Sequence, residues 1–159
     1  NMYIFNNIPN KNTKGFTLIE VLLVMALLAI LASIVIYAIN PSKQLADSRD
    51  VQREVDLYSL MQAIYQFSAD NEGSYPDSIT VLETEICRTD AVSCSGVIDL
   101  SALTDNETYL ITVPEDPLCD VDSFACSNNG TGYFIKLTAS GSLALSATSS
   151  ENKVITVIQ

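Results

Sequence analysis

The chain divides by its pattern of apolar and polar positions into three stretches. Val21 to Ile39 is an almost unbroken apolar run, and the run with Phe16 to Glu20 ahead of it has 24 residues. As a helix these would span about 36 Å, enough to cross a bilayer. Small residues Ala26, Ala29, Ala32 and Ser33 recur along it at three- and four-residue spacing. That stripe suits close helix packing, and it equally suits the ordinary alanine content of a membrane helix. Asn40-Pro41 then interrupts the run. Proline predicts either a kink or a new helix with Asn40 as its cap and Pro41 in its first turn.

Ser42 to Asn71 reads as a second helix. Val51, Val55, Tyr58, Met61 and Tyr65 recur every three or four residues, and Leu57, Leu60, Ile64 and Phe67 widen the stripe into an expected core face. Asp47, Asp50, Arg53 and Glu54 are expected on the opposite, solvated side. Gly73 and the turn residues Ser74-Tyr75-Pro76-Asp77 end the helix. From Tyr75 onward turns and short apolar runs dominate, with one helical turn expected near Leu100–Leu103. Gly132–Thr138, Ser142–Thr148 and Lys153–Ile158 read as strands of an antiparallel meander. Ala139-Ser140-Gly141 and Ser149-Ser150-Glu151-Asn152 would supply its turns.

Composition sharpens this picture. The formal charge is -11, with eight basic and nineteen acidic residues, and the acids lie almost wholly after Asp47. Lys11 and Lys14 precede the apolar run, which fits a cytoplasmic start and an exported remainder. An acidic ectodomain argues against a broad basic face for nucleic acid. Histidine is absent, and neither a G-x-S-x-G elbow nor a phosphate loop occurs, so nothing selects a catalytic group.

Cys87/Cys94 and Cys119/Cys126 share one spacing. Four cysteines allow three pairings, of which the two local bridges are favoured because each closes a short polar loop. Such a bridge contributes about 2 kcal/mol. A four-cysteine zinc site is the rival, although the spacers are longer than the usual knuckle. Asp116, Asp120 and Asp122 gather in a loop after Pro114-Glu115. Solvated acids are the ordinary reading of such a loop, and calcium is the alternative for these three carboxylates.

Glu20 is the anomaly. A carboxylate within a membrane-length apolar segment costs about 2.5–3.5 kcal/mol on insertion scales, and no basic residue lies between Phe16 and Pro41. Cleavage after Gly15 would supply a partner, since Phe16 would then carry a free ammonium group on this chain or a neighbour. The stretch KGFTLIEVLLVMALLAILA, Lys14 to Ala32, resembles the prepilin signature of type IV pilins and type II secretion pseudopilins.

The resemblance covers about the first quarter of the chain and is architectural beyond Pro41. It implies cleavage between Gly15 and Phe16 by a prepilin peptidase, N-methylation of Phe16, and assembly through Glu20 and the Phe16 amine of an adjacent subunit. The implied fold is α+β: a long N-terminal helix whose lower half spans the membrane and whose upper half packs on a small antiparallel sheet. The expected segments are residues 1–15 as leader, 16–41 as membrane and filament-core helix, 42–73 as exposed helix half, and 74–159 as disulfide-stapled head. Expected partners are further copies or related pilins, the peptidase, a pilus assembly platform and the membrane. No cofactor is expected, apart from the calcium that some pseudopilins carry. The location would be the cytoplasmic membrane for the precursor, then a periplasmic or extracellular filament. The first reading is a surface pilus. A pseudopilin or competence pilus is the alternative, and an anchored ectodomain that never polymerises comes from another class.

Overall fold

The computed structural model describes residues 15–119, 125–148 and 155–159. The leader before Gly15, Asp120, Asp122, the expected turn Ser149–Asn152 and Lys153 lie outside the described residues. Two compact units divide between Pro41 and Ser42.

The first unit is built on α1, Leu18–Ile39. Every one of its residues is exposed. A helix apolar on all sides suits lipid or a helical bundle, and α1 is long and apolar enough to cross a membrane. Ser33 donates its hydroxyl to the carbonyl of Ile30 on its own helix, at 2.7 Å. The helix ends at Asn40, which adopts the left-handed region at φ 50° and ψ 77°. Asparagine enters that region more readily than most residues because its amide can bond locally. Pro41 opens α2, Pro41–Asp70, where its missing N–H falls among groups that have no helical partner anyway.

The second unit packs α2 on a four-stranded antiparallel sheet. Its strands are β1 (Thr84–Cys87), β2 (Gly130–Leu137), β3 (Leu143–Ala147) and β4 (Ile155–Ile158), in spatial order β1-β2-β3-β4. Tyr133 and Ile135 on β2 pair with Ala147 and Leu145 on β3, and all four are buried. This places one apolar row under α2, as the two-residue strand period requires. Leu57, Leu60, Met61 and Ile64 supply the helix side of the core. The short helix α3, Ser101–Thr104, adds Leu103. The meander expected from sequence is present, and the chain is α+β. β1 was not expected. It has four residues, carries the charged Glu85, and gains a parallel bridge between Ile86 and Ile98.

The expected face of α2 is wrong between Asp50 and Tyr58. Val51, Val55 and Tyr58 are exposed, whereas Asp50 and Arg53 are buried. Residues 51 and 53 stand about 200° apart on a helix, so the two rows face opposite ways. Arg53, Leu57, Leu60 and Ile64 share one row, and it is this row that meets the sheet. The stripe starting at Val51 continues into Gln62 and Gln66, which are exposed. Its apolar start misled the reading.

Gly132 shows how tightly β2 is held. Its φ is +78°, and an added Cβ would lie 2.8 Å from the Ala125 carbonyl and from Asp116 Cβ, and 2.9 Å from Cys126 Sγ. Backbone atoms cannot move aside cheaply. Gly132→Ala is expected to destabilise this unit by about 2 kcal/mol or more, read as a lower midpoint of thermal unfolding for the full chain in detergent. An unchanged midpoint would show that β2 is not confined there.

Candidate functional site

The N-terminal site is assembled from Gly15 to Glu20. Thr17 has extended backbone, φ -78° and ψ 150°, and caps α1. Glu20 Oε2 accepts hydrogen bonds from the Thr17 N–H and the Thr17 hydroxyl, both at 3.0 Å. In return Thr17 Oγ1 accepts from the Glu20 N–H at 3.3 Å. This reciprocal arrangement satisfies backbone donors that the first turn leaves without partners and puts a carboxylate at the positive end of the helix dipole. The absence of a basic residue from the segment holds, and this uncharged partner was not expected. The signal was present as Thr17-Leu18-Ile19-Glu20, a T-x-x-E capping pattern. Gly15 and Phe16 precede the helix in non-helical conformation, and an atom added at the Gly15 Cβ position would meet nothing within 4 Å.

A second polar cluster lies inside the sheet unit. Arg53 has no exposed surface. Its Nε donates to Asp116 Oδ2 at 2.6 Å and its Nη2 to Asp116 Oδ1 at 2.9 Å, while Nη1 donates to Asp50 Oδ1 at 2.8 Å. The two-pronged contact matches the planar fork of a guanidinium to a carboxylate. Burial alone would lower the Arg53 pKa, but the bonds and charges of Asp116 and then Asp50 outweigh it and raise it. The Leu118 N–H adds a donor to Asp116 Oδ1 at 2.9 Å, and the Asp116 N–H reaches the Thr131 carbonyl at 2.8 Å. Beside them the buried Tyr133 hydroxyl donates to Asp56 Oδ2 at 2.7 Å, and the Gln52 amide donates to Asp56 Oδ1 at 2.8 Å. The cluster therefore ties α2 to β2 and to the segment leading into the second disulfide.

Cys87 bonds to Cys94 and Cys119 to Cys126, with Cα atoms 5.5 Å and 5.2 Å apart. Among the described residues no cysteine is free. Asp116 sits far from solvent, and a guanidinium already faces both of its oxygens. It does not fit the role of a calcium ligand in this arrangement. Among the described residues no group of three or more metal-ligating side chains forms a site.

Removing the guanidinium would take the buried counter-charge from Asp116 and Asp50. Arg53→Met is expected to cost about 3–5 kcal/mol, with Arg53→Lys intermediate because one ammonium cannot supply the fork. Thermal unfolding of the full chain in detergent measures this. A midpoint unchanged in Arg53→Met would contradict an internal cation.

Burial first and the Asp56 carboxylate second push the Tyr133 pKa well above its ordinary value of 10.0. The folded phenol thus resists ionisation while the unfolded one ionises near its ordinary value. Its stabilising effect is complete at neutral pH and is lost as pH rises above about 10. Tyr133→Phe should cost about 1–3 kcal/mol at neutral pH, since Asp56 loses a donor. It should also show a shallower decline of stability above that pH than wild type. Parallel alkaline declines would remove Tyr133 from the account.

One comparison with known proteins falls on the N-terminal site. The family described as "Prokaryotic N-terminal methylation motif" matches residues 10–36, which include Gly15, Phe16 and Glu20. The type II secretion system core protein G of Escherichia coli (strain K12) is 29% identical over 104 residues. The match covers 65% of this chain and 66% of that protein, so the chain spans just under two thirds of the relative's length. No solved structure matches. An apolar N-terminal helix opened by this motif, followed by a helix on a small antiparallel sheet, together with that relative, supports the pilin and pseudopilin family for this chain.

Proposed function

We propose that the chain is the precursor of a structural, non-catalytic filament subunit. A peptidase cuts between Gly15 and Phe16 and the Phe16 amine is methylated. α1 holds the subunit in the cytoplasmic membrane and then packs with α1 of other copies or related pilins on an assembly platform. The observation that carries this reading is the motif over residues 10–36 placed directly on a helix that is apolar on every side. Such a helix has no core of its own to join, so lipid and other helices are its two natural surroundings.

Within that reading Glu20 has two successive partners. Thr17 bonds one of its oxygens in the single chain. The amine of a neighbouring Phe16 would neutralise it in the filament, where a low dielectric makes the pairing strong. The name of the bacterial relative favours a type II secretion pseudopilin over a surface pilus. In that reading the filament is short and periplasmic and moves folded substrates towards a secretion channel. The surface-pilus reading rests on the N-terminal motif that both kinds of subunit share.

Variants at Glu20 separate assembly from anchoring. Glu20→Leu should insert in the membrane at least as well as wild type but lose sheared filaments, because breaking one side of a buried pair costs about 3–5 kcal/mol per added subunit. Glu20→Gln retains a capping side chain while deleting the charge, so its remaining defect reports the ion pair alone. The measurement is sheared-filament yield beside membrane-fraction yield in a host with a complete assembly system. Normal filaments from Glu20→Leu would refute the pairing, and none from wild type would favour the anchored ectodomain.

A further inference from the structure

The last turn of α1 carries one residue unlike the rest of the helix. Tyr37 is 93% exposed, whereas the other large apolar residues from Val21 to Ile39 are 51–63% exposed. Its ring stands clear of its own helix. From Val21 to Ser42 the sequence has no charged residue, and Tyr37 is the sole aromatic between Phe16 and Tyr58. A phenol has an apolar body and a polar tip, which is why tyrosine collects where hydrocarbon meets lipid headgroups. At the other end the Thr17–Glu20 cap decides where the carboxylate lies. Glu20 Oε2 is 3.0 Å from both the Thr17 nitrogen and the Thr17 hydroxyl oxygen. Side chains of a helix lean towards its N-terminus, and these two bonds draw the charge back to the level of Thr17. The carboxylate therefore sits about 4.5 Å nearer the helix start than the Glu20 backbone does.

Thr17 and Tyr37 are 20 residues apart. At helical rise that is about 30 Å, the thickness of the hydrocarbon core, and an ordinary tilt of about 20° shortens it only to about 28 Å. From this we infer that two headgroup contacts set the depth of α1 in the bilayer, Tyr37 at the outer surface and the Thr17–Glu20 cap at the inner one. The sidedness follows from Lys11 and Lys14 ahead of the cap. The inference rests on the membrane stage of the proposed function and is independent of polymerisation. It places the Glu20 charge at the headgroup boundary, within reach of water, and not in hydrocarbon. The insertion cost of a carboxylate applies in full at the middle of a span. A side chain near the end of the span escapes most of it by reaching outwards.

Depth-dependent fluorescence quenching tests the placement. The chain has no tryptophan, so a single one reports its own depth. Full-length Phe16→Trp, Leu28→Trp and Tyr37→Trp are reconstituted in phosphatidylcholine–phosphatidylglycerol vesicles. Their acyl chains are brominated either close to the headgroup or close to the bilayer centre. Phe16→Trp and Tyr37→Trp should be quenched at least about twofold more by the shallow bromine, and Leu28→Trp at least about twofold more by the deep one. Indole itself favours the interface, so a second readout uses cysteine. In permeabilised vesicles a water-soluble maleimide should label Ile19→Cys, beside an intact cap, at least about tenfold faster than Leu28→Cys. Labelling of Ile19→Cys as slow as that of Leu28→Cys would overturn the inner contact. Tyr37→Trp quenched as deeply as Leu28→Trp, or by neither bromine while Leu28→Trp is quenched, would overturn the outer contact and leave the membrane reading intact. Quenching at none of the three positions would overturn that reading and the inference together.

Discussion

A single buried guanidinium fixes which side of α2 faces the sheet. Arg53 can lose its water only where carboxylates replace it, and Asp116 and Asp50 do so. Once Arg53 points inward, the row Leu57, Leu60 and Ile64 must follow, because they share its face. Tyr133 arrives on β2 to meet Asp56 in the same layer. The opposite row, starting at Val51, is then turned to the outside by the helical period alone.

The same logic of charge under low dielectric governs the other end of the chain. Glu20 begins as part of the first turn of α1, where Thr17 satisfies it locally. A capping bond of this kind makes the carboxylate tolerable in a single chain without cancelling its charge. In the proposed filament a neighbour's amine completes what Thr17 starts. One polar device thus orders a helix on folding, and the other is finished on assembly.

Much of this was legible in the residues. The limits of α1 and α2, the strands β2 to β4 and the two cysteine pairs follow from apolar runs, turn residues and spacing. α2 was misread because stripes were assigned by apolarity, and Val51 and Val55 look like core. The phase that extends without a break from Arg53 to Ile64 was the better guide, with the Asp50–Arg53 spacing of three marking charges on one face. β1 escaped because four residues with a buried glutamate carry little strand signal. Glu85 is bound there by the N–H groups of Ser127 and Gly132, contacts that only the tertiary structure creates.

The mature N-terminus decides the central claim most directly. Intact mass and terminal sequencing of the protein from a host membrane fraction should give a chain that begins at Phe16 and carries a methylated amine. A chain still bearing Lys14 and Gly15, or one cut beyond Ile39, would contradict it.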